Sequence, residues 1–253
     1  MSPDTTKLLV STATADTLWS MPLKETSSGE TTLAWQDREA YRWETHPQQQ
    51  DRLILIANNT AHLYEWNTLR KLTSEDGMLL EGSILPELSI QSTVSCLAGA
   101  VIGTTFGTTS SSSSQSKLLL WATSDFNTKS ISAVPIPTYR SLAEHVKTLI
   151  GEHGQRLVFL HSSGWVCSAN LQSPNAEEYT RHFFLPADWL STNIDLLFGI
   201  THNGEIVFVK RNEVAVIRRG LEADDKGQSM SSSRPSLLRR KNPTLEVPDA
   251  PQR

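Results

Sequence analysis

The chain has 253 residues, 38% of them hydrophobic, with 23 basic against 27 acidic residues and a formal net charge of −4. That length builds one large all-β domain or two small ones around a real core. The charge balance excludes a nucleic-acid binder working through an overall basic surface and gives no polybasic membrane signal. No stretch approaches the roughly 18 apolar residues of a membrane span.

At the start of the chain, Lys7 is followed by Leu-Leu-Val, and Ala13 and Ala15 resemble a cleavage site. The apolar run is shorter than the about 7–15 residues of a signal peptide, so it reads as a strand and the expected location is cytoplasmic. From there strand signals dominate: short β-branched and aromatic runs bounded by Asn, Gly, Ser, Thr or Asp. "KLLVSTA" turns into "DTLWSMP", "DRLILIA" into "AHLYEW", "GAVIGTTFG" into "KLLLWATSD", "QRLVFLH" into "WVCSANL", and "DLLFGIT" into "EIVFVK" and "VAVIRRGL". Asn-Asn and Asn-Gly turns between them tolerate positive φ, as hairpins require. The triplet Asn58-Asn59-Thr60 is read as such a turn.

The hairpins recur. Trp19, Trp66 and Trp121 each end a second strand, 47 and 55 residues apart, and Ser168 and Phe208 follow after 47 and 40. A repeat of about 40–50 residues with several strands marks a propeller blade. The tract Ser110–Ser114 accounts for the longest interval and reads as an inserted loop. One helical insertion is predicted over about 138–151, where Leu142, Val146, Leu149 and Ile150 recur at helical spacing, Ser141 caps and Gly151 ends. After Leu221 four prolines, many serines and few apolar residues predict a disordered tail over 222–253. The expected organisation is an all-β, WD-repeat-like propeller segment of about four to five blades over 1–221, then that tail.

The motifs carry little chemistry. Cys96 and Cys167 lie in apolar runs and read as reduced core residues; two cysteines cannot build a structural zinc site, and no Cys/His cluster has ligand spacing. Trp165 and Cys167 share a strand face and read as inter-blade core, with nothing cationic beside Cys167 in sequence. Arg181 and His182, next to two phenylalanines, and Asp188 and Trp189, after Pro186, are the candidate interaction residues, read first as an alternating strand and a loop cap. Ser114 and Lys117 form a Ser-x-x-Lys pattern that the serine tract explains by composition. "GTTFGTTS", from Gly103, lacks the lysine of a phosphate-binding loop. His161 and His182 have no acidic neighbour in sequence, and Arg239, Arg240 and Lys241 make a short basic cluster in the tail.

Trp43, His46 and Pro47 in Trp-x-x-His-Pro, with Tyr64 and Trp66 in Tyr-x-Trp, resemble the late blades of the C-terminal WD-repeat region of fungal NACHT–WD-repeat receptors, relatives of NOD-like receptors. The succession "GWVCS", "RHFFLPADW" and "RGL" between Arg156 and Leu221 extends the resemblance. It departs in lacking both a Gly-x-x-x-x-Gly-Lys-Ser/Thr loop and a Trp-Asp dipeptide after Trp19, Trp66 or Trp121. The resemblance implies the sensor or scaffold part alone: a non-catalytic recognition module, not an enzyme, that binds a protein partner or non-self ligand. Motif spacing gives no cofactor or metal, composition gives no membrane partner and argues against nucleic acid, and the strand that begins at Lys7 predicts open blade edges able to self-associate. Nucleic-acid binding through the basic tail, which requires salt-sensitive affinity, is one competing reading, and two others stand beside it. One is a truncated remnant of a longer receptor gene. The other is a propeller-fold hydrolase, which requires convergent carboxylates or a metal site at the central channel, where the inner strands read as apolar.

Overall fold

The computed structural model describes residues 4, 6–12, 14–22, 31–34, 41–57, 59–82, 88–96, 101–108, 116–172, 178–190, 196–210, 213–221 and 237–239. They form five sheets. The first is β1 (Lys7–Ser11), β2 (Ala15–Ser20) and β3 (Thr31–Ala34), paired antiparallel in that order. The second begins with β4 (Tyr41–Thr45), β5 (Arg52–Ala57), β6 (Thr60–Glu65) and β7 (Met78–Leu80). The third is β8 (Leu88–Cys96), β9 (Val101–Thr108) and β10 (Ser116–Ala122). The chain then returns to the second sheet, where β11 (Ser132–Ala133) pairs parallel with β7 as its fifth strand. The fourth sheet is β12 (Val146–His153), β13 (Arg156–His161), β14 (Trp165–Ala169) and β15 (Tyr179–Phe184). The fifth is β16 (Leu196–Ile200), β17 (Ile206–Lys210), β18 (Glu213–Ile217) and β19 (Leu237–Arg239).

The alternation of side chains across a strand explains how five sheets share four cores. On β5, Leu53 and Leu55 pack toward the first sheet with Leu18, while Ile54 and Ile56 pack toward the third with Phe106 and Trp121. On β10, Leu119 and Trp121 join that core, while Leu118 and Leu120 join Leu157 and Phe159 of the fourth sheet. On β13 the other face, Val158 and Leu160, meets Ile206 and Phe208 of the fifth. Each middle sheet is covered on both faces, so its strands read as unbroken apolar runs. The first strands of successive sheets touch one another, β4 with β8, β8 with β12 and β12 with β16, and form the inner layer of a radial stack of blades.

Glycine permits the tightest of these contacts. Gly204, at φ +75° in the turn between β16 and β17, leaves room for the His153 ring; a Cβ there would lie 2.4 Å from it.

Three sequence expectations change. The helical insertion does not reach Gly151: a 3₁₀ turn over Pro137–Tyr139 leads into α1 (Arg140–Ala143), and Val146–His153 is strand. Two register shifts in β12, between Val146 and Thr148 and between Leu149 and Gly151, bring Val146, Leu149 and Ile150 inward with a spacing that mimics a helix. In the predicted tail, Leu237–Arg239 pairs with β18 and completes the fifth sheet. The repeat is also offset in its first and last copies, since Trp19 lies in β2, the second strand of the first sheet. Trp66, Trp121 and Ser168 fall at or near the ends of the third strands of their sheets, whereas Phe208 lies in the second strand of its own. The Ser110–Ser114 tract lies outside the described residues.

Candidate functional site

Inner strands carry side chains that the mid-sheet hairpins do not. In β4, Tyr41 and Trp43 face the first sheet, where both donate to Asp16 Oδ2, at 2.7 and 2.9 Å. The alternate position, Glu44, faces the third sheet and meets Ser95 of β8, whose hydroxyl and backbone N–H donate to its carboxylate. Glu44 keeps some accessible surface, but protein atoms surround its carboxyl densely. Burial outweighs both hydrogen bonds and pushes the carboxyl up to about 8.

The neighbouring strand brings a second carboxyl. Ser92 Oγ accepts from Thr148 Oγ1 (2.9 Å) and from the Leu149 N–H (2.8 Å). Four residues further along each strand, Glu152 of β12 acts on the Cys96 thiol of β8 through its charge. Burial, then the charge of Glu152, then that of Glu44, push the Cys96 thiol far up. Glu44, Ser95, Cys96 and Glu152 therefore lie near the C-terminal ends of three adjacent inner strands. The expectation that the inner strands are apolar is incorrect: it was drawn from hairpins that prove to be middle strands. "RWETHP" held the relevant signal, a lone glutamate at an alternating position, and it does not stand out without the neighbouring strand.

The residues singled out from sequence do not form one surface. Arg181 is exposed and lies 6.0 Å from the centre of the Tyr179 ring. His182 sits at the bulge between the pairs Val166/Phe183 and Cys167/Arg181 and turns to the other face, 2.8 Å from Ser168 Oγ. Asp188 and Trp189 lie in the one-turn helix α2 (Ala187–Leu190); Trp189 packs against the core between the fourth and fifth sheets, and the Asp188 carbonyl accepts from Lys210 Nζ. Trp19 lies in β2 and Trp66 and Trp121 are buried, while Trp165 is half-buried edge-on against Phe184.

Cys167 does have a cationic neighbour, contrary to the sequence reading: its cross-strand partner is Arg181. Burial still prevails over that charge and raises the thiol to about 11. Both cysteines are buried and unbridged. Lys117 donates to the Gly82 carbonyl, and Ser114 lies outside the described residues. His161 is bonded to Tyr179 Oη (3.0 Å) and Ser163, not to an acid. Among the described residues no group of three or more His, Cys, Asp or Glu side chains is placed to hold a metal ion, and no helix is long and apolar enough to cross a membrane.

No protein-family model matches the sequence, and no curated protein matches it either. Solved structures do. A luciferin-regenerating enzyme aligns with TM-score 0.52 at 8% identity, over 85% of this chain and 69% of that one. Dihydro-heme d1 dehydrogenase NirN aligns with TM-score 0.45 at 11% identity, over 92% of this chain and 45% of that one. A calcium-binding regucalcin of Agrobacterium tumefaciens strain C58 aligns with TM-score 0.44 at 9% identity, over 68% of this chain and 55% of that one. This chain thus spans about half the length of the last two. The fold is a β-propeller. The likenesses overturn the expectation of a non-catalytic recognition module that is not an enzyme: the propellers it resembles include a named enzyme, so this fold does not imply a passive scaffold.

Proposed function

We propose that the chain is a propeller hydrolase that uses Glu44 as its general acid. The observation that carries this reading is a carboxyl kept protonated near neutral pH on an inner strand, fixed by Ser95 and accompanied by Glu152 across β8. In the reaction, water adds to the electrophilic carbon of an ester or glycoside, and the bond to the leaving oxygen breaks. That oxygen takes the Glu44 proton, Glu152 receives the proton of the attacking water, and exchange with solvent restores both groups. Cys96 stays a thiol and serves as a neutral spacer between the two carboxyls. A WD-repeat-like origin of the blades, supported by the Trp43–Pro47 and Tyr64–Trp66 motifs, and a cytoplasmic setting belong to the same proposal.

A panel of nitrophenyl esters and glycosides tests it. Turnover is expected to fall as pH rises through about 8, where the acid ionises. Glu44→Gln should lose roughly 10²–10⁴-fold in kcat/KM, and Glu152→Gln should also be impaired. Activity that survives Glu44→Gln, or its absence from the whole panel with folded protein, overturns the assignment.

A further inference from the structure

A second site lies where β13 begins, β14 ends and β15 begins. Arg156, Asn170, Glu178, Tyr179 and Thr180 line a cavity of about 470 Å³ there. That volume suits a small organic ligand. All five described lining residues are polar or bear a polar group, which marks the cavity for a hydrophilic molecule.

Arg156 dominates the cavity's electrostatics. Its Nε donates to Ser168 Oγ (2.9 Å), and Nη2 donates to the Ser168 carbonyl (3.1 Å) and Thr180 Oγ1 (2.8 Å). All three acceptors are neutral, and among the described residues no carboxylate lies within ion-pair distance of Arg156. The guanidinium is thus fixed in orientation with no carboxylate at ion-pair distance among the described residues, though Glu178 lines the same cavity, and the N–H groups of Nη1 remain for a ligand. His182 reports the same field. Burial first, then the charges of Arg156 and His153, hold its imidazole down to about 4. A neutral His182 accepts the Ser168 hydroxyl proton at Nε2, 2.8 Å away, while Ser168 Oγ accepts from Arg156. Ser168 is itself 2% exposed, so this relay is internal and braces the arginine without reaching solvent.

The other walls fit the remainder of such a ligand. The Tyr179 hydroxyl is committed to His161 Nε2 (3.0 Å), which leaves its ring as a fixed wall. Glu178 and Asn170, both exposed, add polar side chains at the opening, and Asn170 Oδ1 accepts from the Gln172 N–H (3.0 Å).

We infer that this pocket binds a small polar organic anion, a carboxylate or phosphate monoester bearing hydroxyl or amino groups, through Arg156. The site is independent of the hydrolase reading. Titration calorimetry on the full chain with gluconate, glucose 6-phosphate, glycine, inorganic phosphate and glucose tests it. Saturable binding is expected for at least one organic anion, at least tenfold tighter than glucose, and weakening with salt. Gluconate against glucose 6-phosphate separates the carboxylate from the phosphate source. Arg156→Gln should weaken binding at least tenfold and Arg156→Lys less. Asn170→Ala, outside the Ser168 brace, should weaken it about threefold or more and decides the matter if Arg156→Gln does not fold. Glu44→Gln should bind as the wild type does, so loss of turnover and loss of binding remain distinguishable. Overturning results are no saturable binding to any anion, glucose or inorganic phosphate binding as tightly as the organic anions, or affinity unmoved by both Arg156→Gln and Asn170→Ala.

Discussion

On one face of β4, Asp16 receives two short hydrogen bonds, from Tyr41 Oη and Trp43 Nε1. On the other face, Glu44 has one residue, Ser95, to satisfy it, and burial governs its protonation. Two carboxyls flank one strand of five residues, yet one locks two sheets together and the other is pushed up to about 8 by burial. The difference lies in the donors. An aromatic hydroxyl and an indole N–H converge on one oxygen of Asp16, whereas Glu44 must offset its desolvation with a serine alone. At Glu44 the few donors leave most of the desolvation by burial without an offset.

The most damaging way to probe this contrast is to empty the lock. Asp16→Ala leaves the Tyr41 hydroxyl and Trp43 indole without their acceptor and should cost about 2–4 kcal/mol in urea unfolding; a loss below about 0.5 would show that the two donors find other partners. The other face should respond with the opposite sign. Glu44 is protonated in the fold up to about 8 and in the unfolded chain only to about 4.5, so the native state binds the extra proton between those values. Its contribution is present below pH 4.5 and is lost as pH rises through 8. Allowing for residual exposure, Glu44→Gln should be more stable than the wild type by about 1–3 kcal/mol at pH 8.5 and nearly equal at pH 5.

His182 provides the acid-side counterpart. Its folded imidazole is held down to about 4, so its contribution is present above about 6.5 and is lost as pH falls through 4. His182→Gln should flatten that acid limb by about 1 kcal/mol after discounting for solvent screening, read from unfolding midpoints at pH 4 and 7. An acid limb unchanged by the substitution would show that His182 is solvated. The smallest effect belongs to Ile131, which is 85% exposed beside β11. Ile131→Ser should shift unfolding by less than about 0.5 kcal/mol, and a larger shift would show that something covers it.

Much of this architecture was legible in the sequence. Every hairpin read from an apolar run and a turn is present, because strands covered on both faces leave an unmistakable signature, as in "RLILIA" and "RLVFLH". The inner strands were less legible. "YRWET" and "LSIQSTVSC" are mixed in polarity because their alternate positions face different neighbours, and the bulges of β12 disguised a strand as a helix. The candidate site was illegible for the same reason. Glu44, Ser95 and Glu152 are separated by some fifty residues at each step and meet only because first strands stack side by side. The arginine pocket was less visible: His182 was noted and Arg156 only bounded a matched segment, and the bulge that turns His182 toward Ser168 has no one-dimensional signal.

The return of the chain after β10 has a consequence for how the molecule comes apart. β11 closes the outer edge of the second sheet only after the whole third sheet has been made, and the Trp121 indole donates to the Glu81 carbonyl across the same junction (3.3 Å). The two sheets are thereby threaded into one cooperative unit, not two separable modules. In native-state hydrogen exchange the amides of β6, β7, β9 and β10 should open together, with one shared opening free energy. Cleavage between Leu80 and Leu88 should leave two fragments that stay associated under native conditions, because neither holds a complete set of strands.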